Sequence, residues 1–515
     1  MNDLLLMVAL PLLGAFLLPV IERASPLLAR CTGPVIVATG GLIGSVLWAG
    51  MDGPLVIQLG GFPAPLGITF YADRFSLLFA ISINLGTLLL WPTGEGDRLR
   101  QAMLALLLVA AGSGLALSGD LFNIFVFYEL LSVVSLGLIA SRPGTDGGGA
   151  AVLAATLRYL IISSIGAVLV LAGIALVYQA TGTLNLAQLA ELAPSRLNDA
   201  QGLSACVLML IGFGVKAELF PVNAWVPEVY ATAPTRVSAL LAGVVSKLAL
   251  LVIVKLLLLV FPLPEAHRLL LLLGMLGLLS GELAAWRARD YKRMLAFSSI
   301  GHLGTILIAF SIPGEAGVFA GLAVALHHLL LKPAMFLLAR RWNGSLESLA
   351  GAGRRSPWAA GLFILLALSM IGVPPLPGFW AKLVVLVALM AQEQPLYYLA
   401  GAAVMFGAVL EANYLFRVVN RFYDRDPQTS GASSGHRPAE LWRGGLLAGV
   451  LVLAVFFIDP LAARLRDIAH EVADVPAYIE SVRPLALSPT AVAQSPAETL
   501  HGQVGWRVAS AGVSR

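Results

Sequence analysis

A chain of 515 residues that is 58% hydrophobic and only 12% charged lies far below the roughly 25% charge of a soluble domain. That balance excludes a water-exposed globular surface and leaves a lipid bilayer as the solvent around the fold. The net charge of +4 is too diffuse for nucleic-acid binding. Cys31 and Cys206 lie in separate apolar stretches, with neither metal-ligand spacing nor a disulfide framework.

A membrane helix needs about 20 mostly apolar residues. Taken in order, about fourteen such segments lie near 4–21, 33–50, 73–91, 101–118, 121–140, 150–178, 202–220, 234–260, 268–286, 294–311, 316–339, 357–391, 397–420 and 442–458. The first lacks a basic leader and a cleavage site and is expected to be a retained helix. The Gly- and Pro-rich stretch from Gly53 to Thr69 alternates around Val56, Ile57 and Leu59 and suits a short exposed hairpin. After Pro460 a polar tail with little periodicity is expected. Short odd-numbered loops carry about nineteen Lys and Arg and even-numbered ones about two, so the basic loops, including Arg287–Arg293, Arg340–Arg355 and Arg417–Arg443, are expected in the cytoplasm and both termini outside.

Charges inside these spans cost a few kcal/mol each and call for a reason. Glu129 lies about 12 Å into its helix without a local charge partner. Lys216 precedes Pro221, which lacks an N–H and frees the carbonyl of Ala217. Glu218 is expected on another face, in a structural role. Lys247 sits near the middle of its span, with Lys255 eight residues on. His328 and Lys332 share a helix face at a spacing of four, ahead of Pro333, while His327 points elsewhere. A relay suits this pair better than a metal, since no carboxylate or cysteine is near in sequence. Lys382 follows the break VPPLPGF at 373–379. Glu411 is placed to act as an exit group or to pair with Arg417, and His302 is a further titratable group.

Two Pro-interrupted spans in corresponding places point to inverted repeats with sites at the interruptions. The expected fold is therefore an all-α integral membrane protein with about 14 transmembrane helices, two of them Pro-broken. It divides into N-terminal helices with the hairpin (1–100), a first inverted repeat (101–260), a second (268–420), a last span with its preceding loop (421–458) and a polar C-terminal tail (459–515). The chain has no phosphate loop, cysteine cluster or haem-like histidine pair, and no cofactor or metal is expected. A string of Glu, Lys and His through a bundle is the mark of a proton or cation pathway. Burial disfavours a charged lysine and a nearby carboxylate favours it. At 4 Å and an effective dielectric of about 20 that attraction is about 4 kcal/mol, enough to switch Lys216 between holding and releasing a proton as Glu129 approaches and withdraws.

The segments GDLFNIFVFYELL, VYQATGTLNLAQLA, GVKAELFPVNAWVPEVYATAPTRVSALLAGVVSKLAL, RDYKRMLAFSSIGHLG, HHLLLKPAMFLL and GVPPLPGFWAKL occur in the order of a known family. Over about residues 70 to 420 the chain resembles the antiporter-like, proton-translocating subunits of Mrp cation/proton antiporters and of respiratory complex I, also found in membrane-bound hydrogenases. The resemblance implies five helices in each inverted repeat. It implies an intake pair of Glu129 and Lys216, a central axis of Lys247 and Lys332, and an exit at Lys382. The expected partners are other membrane subunits of a multisubunit complex, with protons and Na+ or K+ as cargo. GDLFNIFVFYE, GTLN and Lys382 look most like the D-type member of the Mrp antiporters, whereas AFSSIGHLG looks more like complex I.

Overall fold

The structure, a computed structural model, describes residues 2–62, 64, 67–92, 97–141, 148–342, 344–424 and 438–483. Among them the chain is helical apart from one hairpin. The N-terminal part holds α1 (Asn2–Ala24), α2 (Pro26–Gly50), β1 (Leu55–Gln58), β2 (Thr69–Ala72) and α3 (Arg74–Leu89). Next come α4 (Arg98–Leu117), α5 (Leu121–Ile139), α6 (Gly148–Thr181), α7 (Leu186–Arg196) and α8 (Ala200–Gly214). After a break, α9 (Val226–Thr232) and α10 (Thr235–Leu240) lead through a π turn (Leu241–Val245) into α11 (Ser246–Lys255) and a second π turn (Leu256–Val260). The rest is α12 (Pro264–Arg287), α13 (Tyr291–Phe310), α14 (Gly314–Leu338), the single turn α15 (Ala352–Arg355), α16 (Pro357–Ile371), α17 (Pro377–Met390), α18 (Pro395–Tyr423), α19 (Pro438–Phe456), α20 (Ile458–Ala473) and α21 (Val475–Val482).

Among the described residues, ten helices are long and apolar enough to cross a membrane, or up to eleven if the bent pair α19–α20 counts as one span, and four shorter apolar helices (α3, α8, α16, α17) accompany them. Large apolar side chains such as Phe16, Val46, Leu153 and Val168 are exposed on the outside, where lipid replaces water. Lys216, Lys247, His328 and Lys332 are buried inside the bundle. Aspartates or an asparagine cap α3, α4, α5, α7, α8 and α13 by accepting from first-turn N–H groups. α12 and α13 approach through glycines: a Cβ at Gly281 would lie 2.8 Å from Gly301 Cα, and one at Gly304 would lie 2.8 Å from Leu278 Cα.

The connections gather on two faces. On one, β2 bridges Ser118 through Phe70, Asp120 bridges Asn185, and α20 and α21 lie over α3, α7 and α14. On the other, Glu440 accepts from Arg236 at 2.6 Å and Arg340 at 3.1 Å, Arg236 also bonds the Trp91 carbonyl, and Glu228 pairs with Arg293 at 3.0 Å. The Arg287–Arg293 and Arg340–Arg355 clusters belong to this second face. Part of the Arg417–Arg443 cluster lies outside the described residues.

Two expectations change. The hairpin exists, pairing Leu55 with Ala72 and Gln58 with Thr69, but it is not exposed: β2 is wholly buried, and Tyr71 packs on Tyr478 with ring centroids 4.3 Å apart. The stretch after Pro460 is not an irregular tail. It forms α20, bent 92° from α19, and α21, because Leu465, Ile468 and Ala469 make a narrow buried stripe among charged neighbours; residues 484–515 lie outside the described part. The two expected breaks are present: α8 stops at Gly214 ahead of Pro221, and α16 stops at Ile371 ahead of Pro374.

Candidate proton path

Both breaks free main-chain groups from helical pairing. α8 ends at Gly214, and the turns from Val215 to Trp225 are held by Tyr128 Oη donating to the Gly212 carbonyl (2.8 Å) and Trp225 Nε1 donating to the Val215 carbonyl (3.0 Å). α16 ends at Ile371, Gly372 takes φ 95°, and α17 restarts with Pro377 in its first turn. Lys382 Nζ reaches back to the Ile371 carbonyl at 3.2 Å. The second break thus uses a freed carbonyl to hold a lysine. At the first, Lys216 donates to Ser132 Oγ instead of to the Ala217 carbonyl expected from sequence.

Lys216 is buried, with Nζ 3.5 Å from the Tyr128 ring centroid. Ser132 lies one turn after the half-buried Glu129 on α5, and its Oγ is 3.4 Å from Glu129 Oε1. The three residues form one polar cluster. Among the described residues it contains no direct contact between the Glu129 carboxylate and the Lys216 ammonium.

Lys247 is fully buried where the π turn loosens the helix. Its Nζ donates to the Ala242 carbonyl at 2.6 Å and to Ser246 Oγ at 3.0 Å, and it meets His328 Nδ1. The His328 ring lies 5.4 Å, centroid to centroid, from that of His302. His302 Nε2 meets Glu411 Oε1, and Lys382 Nζ meets Glu411 Oε2. Lys247, His328, His302, Glu411 and Lys382 therefore form one file across α11, α14, α13, α18 and α17.

Lys332 stands beside this file, not within it. Its Nζ donates to Ser298 Oγ at 2.7 Å, and Tyr414 Oη donates to the same oxygen at 2.7 Å. The Tyr414 hydroxyl also interacts with Glu282. Glu218 is buried with φ 55°; its Oε1 accepts from Tyr230 Oη at 2.6 Å, its Oε2 has no partner, and Lys247 and Lys332 are its cationic neighbours.

Of the residues singled out from sequence, Lys247 and His328 are brought into contact, Glu129 and Lys216 share Ser132, and Lys382 joins the file through Glu411. Glu411 chooses Lys382 and His302, while Arg417 donates to the Ala288 carbonyl at 3.1 Å. Lys255 caps α4, donating to the carbonyls of Ala116 (3.0 Å) and Ser118 (3.2 Å). His327 turns away and shares a 2.9 Å hydrogen bond with Ser369. Glu218 is not on an idle face, and Glu282 was not anticipated. Carboxylates absent from the local sequence do come together in the fold, where ligand atoms of Glu282, His302 and Glu411 lie within 4.8 Å of one another. Both Glu411 oxygens, however, are already engaged by His302 and Lys382.

Residues 118–409 match the family described as NADH:quinone oxidoreductase/Mrp antiporter, TM. The D-type subunit of the Na(+)/H(+) antiporter of Alkalihalophilus pseudofirmus is 28% identical over 84% of this chain and 89% of its own length. A chain in the structure of the archaeal membrane-bound sulfane sulfur reductase, a respiratory membrane complex, superposes with a TM-score of 0.84 at 29% identity, over 94% of this chain and 100% of that one. A chain of the Mrp complex from Dietzia sp. DQ12-45-1b gives the same TM-score at 25% identity, over 93% and 99%.

Proposed function

The chain belongs to the NADH:quinone oxidoreductase/Mrp antiporter family of membrane subunits, and from that premise we propose that it is the D-like, proton-translocating subunit of a multisubunit Na+/H+ or related monovalent cation/proton antiporter. The observation that carries this reading is the file from Lys247 to Lys382, in which the neighbouring rings of His328 and His302 join two hydrogen-bonded groups, with the Glu129–Ser132–Lys216 cluster at the other helix break. Buried charges are costly in a bilayer, and a file of them leading to one break, with a second charged cluster at the other, has a use in transport that packing does not supply.

Protons enter at Glu129 and are taken up by Lys216 through Ser132. Lys216 releases its proton towards Lys247 when Glu129 withdraws, with Glu218 beside the gap between them. From Lys247 the proton passes through His328 and His302 to Glu411 and Lys382. Lys332 acts from the side, its ammonium opposing a second charge on Lys247. The halves 101–260 and 268–420 act as inverted repeats within a fold of fourteen transmembrane helices. The arginine-rich face lies in the cytoplasm and both termini on the outer side of the cell's inner (plasma) membrane.

A second reading, the same pump within a redox complex, is favoured by the likeness to the respiratory sulfur reductase chain. Purification from the native membrane with mass spectrometry of the bound subunits, followed by a cation/proton exchange assay, separates the two. Small antiporter-type subunits and sodium- or potassium-dependent proton movement support the antiporter. Co-purifying iron–sulfur or flavin subunits with no cation dependence would overturn it.

A further inference from the structure

Glu282 on α12 is the one carboxylate of the buried cluster that the path above does not use. It is 2% exposed, and its Oε2 has no hydrogen-bond partner. It reaches the cluster because Gly281 packs on Gly301, leaving the carboxylate against the bare Gly301 Cα. The titratable groups around it are Glu411 and Tyr414 from α18, His302 from α13, Lys332 from α14 and Lys382 from α17.

We propose that Glu282 and Glu411 share a single proton, with Glu282 as a second proton-holding residue of the path, filled from Lys332 through Ser298 and Tyr414. Like charges this close in a dry interior disfavour double ionisation. Glu411 is committed as the anion by its bonds to Lys382 and His302. Glu282, with one oxygen unpartnered, is the site for the proton. The transfer balances. Once the Tyr414 hydroxyl hydrogen has turned from Ser298 to Glu282 and the Ser298 hydrogen to Tyr414, Lys332 gives a proton to Ser298 as Ser298 passes its own to Tyr414 and Tyr414 passes its own to Glu282, leaving a neutral amine and a neutral acid. A metal ion at the same place would have to displace His302 or Lys382 from Glu411, whereas a proton displaces nothing. This assignment rests on the proton-path reading and adds a storage site beside its exit.

The test is infrared spectroscopy of the intact complex in lipid, titrated with pH. The wild type is expected to show a protonated carboxylic-acid carbonyl band that falls to baseline in Glu282→Gln, remains but moves in Glu282→Asp, and persists in Glu129→Gln. A band unchanged by Glu282→Gln, or no such band in the wild type, overturns the proposal. Loss of the band on adding sodium at fixed pH overturns it in favour of a cation site. A wild-type complex that shows the band but moves no protons would sink the transport reading and leave the shared proton standing.

Discussion

Lys216 and Glu129 meet through a third side chain: Ser132 Oγ accepts from the Lys216 ammonium and lies 3.4 Å from Glu129 Oε1. A switch built on these two residues therefore runs through a hydroxyl that can be removed without touching either charge. Hydrogen bonds to charged groups contribute about 1.5–3 kcal/mol. Ser132→Ala is expected to lower proton flux by about ten- to a hundredfold, with Ser132→Thr recovering most of it. Flux at wild-type level in Ser132→Ala would show that Lys216 does not depend on the bridge.

His302 is the only step between His328 and Glu411 in the file, so His302→Ala is expected to stop flux while the complex still assembles. His302→Gln keeps the volume but not the titration and should be as inactive. Full activity in either variant, measured as pH change in sealed vesicles, would mean that protons leave by the Lys332 side.

Glu440 binds three cationic side chains, Arg236, Arg340 and Arg443, and is buried. Removing one partner of a buried pair costs about 3–5 kcal/mol because it strands the other charges. Glu440→Ala is expected to lower the thermal unfolding temperature and detergent stability clearly. Arg421→Ala breaks only an exposed pair with Asp424, of a kind contributing about 0–1 kcal/mol, and should be nearly silent. Equal stability of both variants would contradict this ranking.

Gly304 lets α12 and α13 touch main chain to main chain. Gly304→Ala forces them apart and is expected to cost about 1–3 kcal/mol of stability, read from the unfolding midpoint. A wild-type midpoint would show that the glycine contact is not tight.

Glu129, Lys216, Lys247, His328, Lys332 and Lys382 stand out in the sequence because each interrupts an apolar run, and Pro221 and Pro374–Pro375 mark the two breaks. Which charge meets which does not stand out, because partners are far apart in the chain. Glu411 lies 109 residues from His302, and the nearby Arg417 offers a plausible but wrong partner. Glu282 stands five residues before Arg287, where it resembles a charge at a helix end; only the glycine packing of α12 on α13 buries it. Glu218, two residues after Lys216, would face away on a continuous helix, but the chain has left helical geometry there and turns it back. α20 escaped notice because its apolar stripe is narrow and its other faces are charged.

Whether protons travel from Glu129 through the buried lysines is measured most directly as proton flux by the assembled complex carrying Glu129→Gln in sealed vesicles. The substitution keeps the shape and removes the charge that tells Lys216 to hold its proton. The expected result is a complex with its full set of subunits and no cation-dependent proton movement. An equally complete Glu129→Gln complex that moves protons at the wild-type rate would contradict the path.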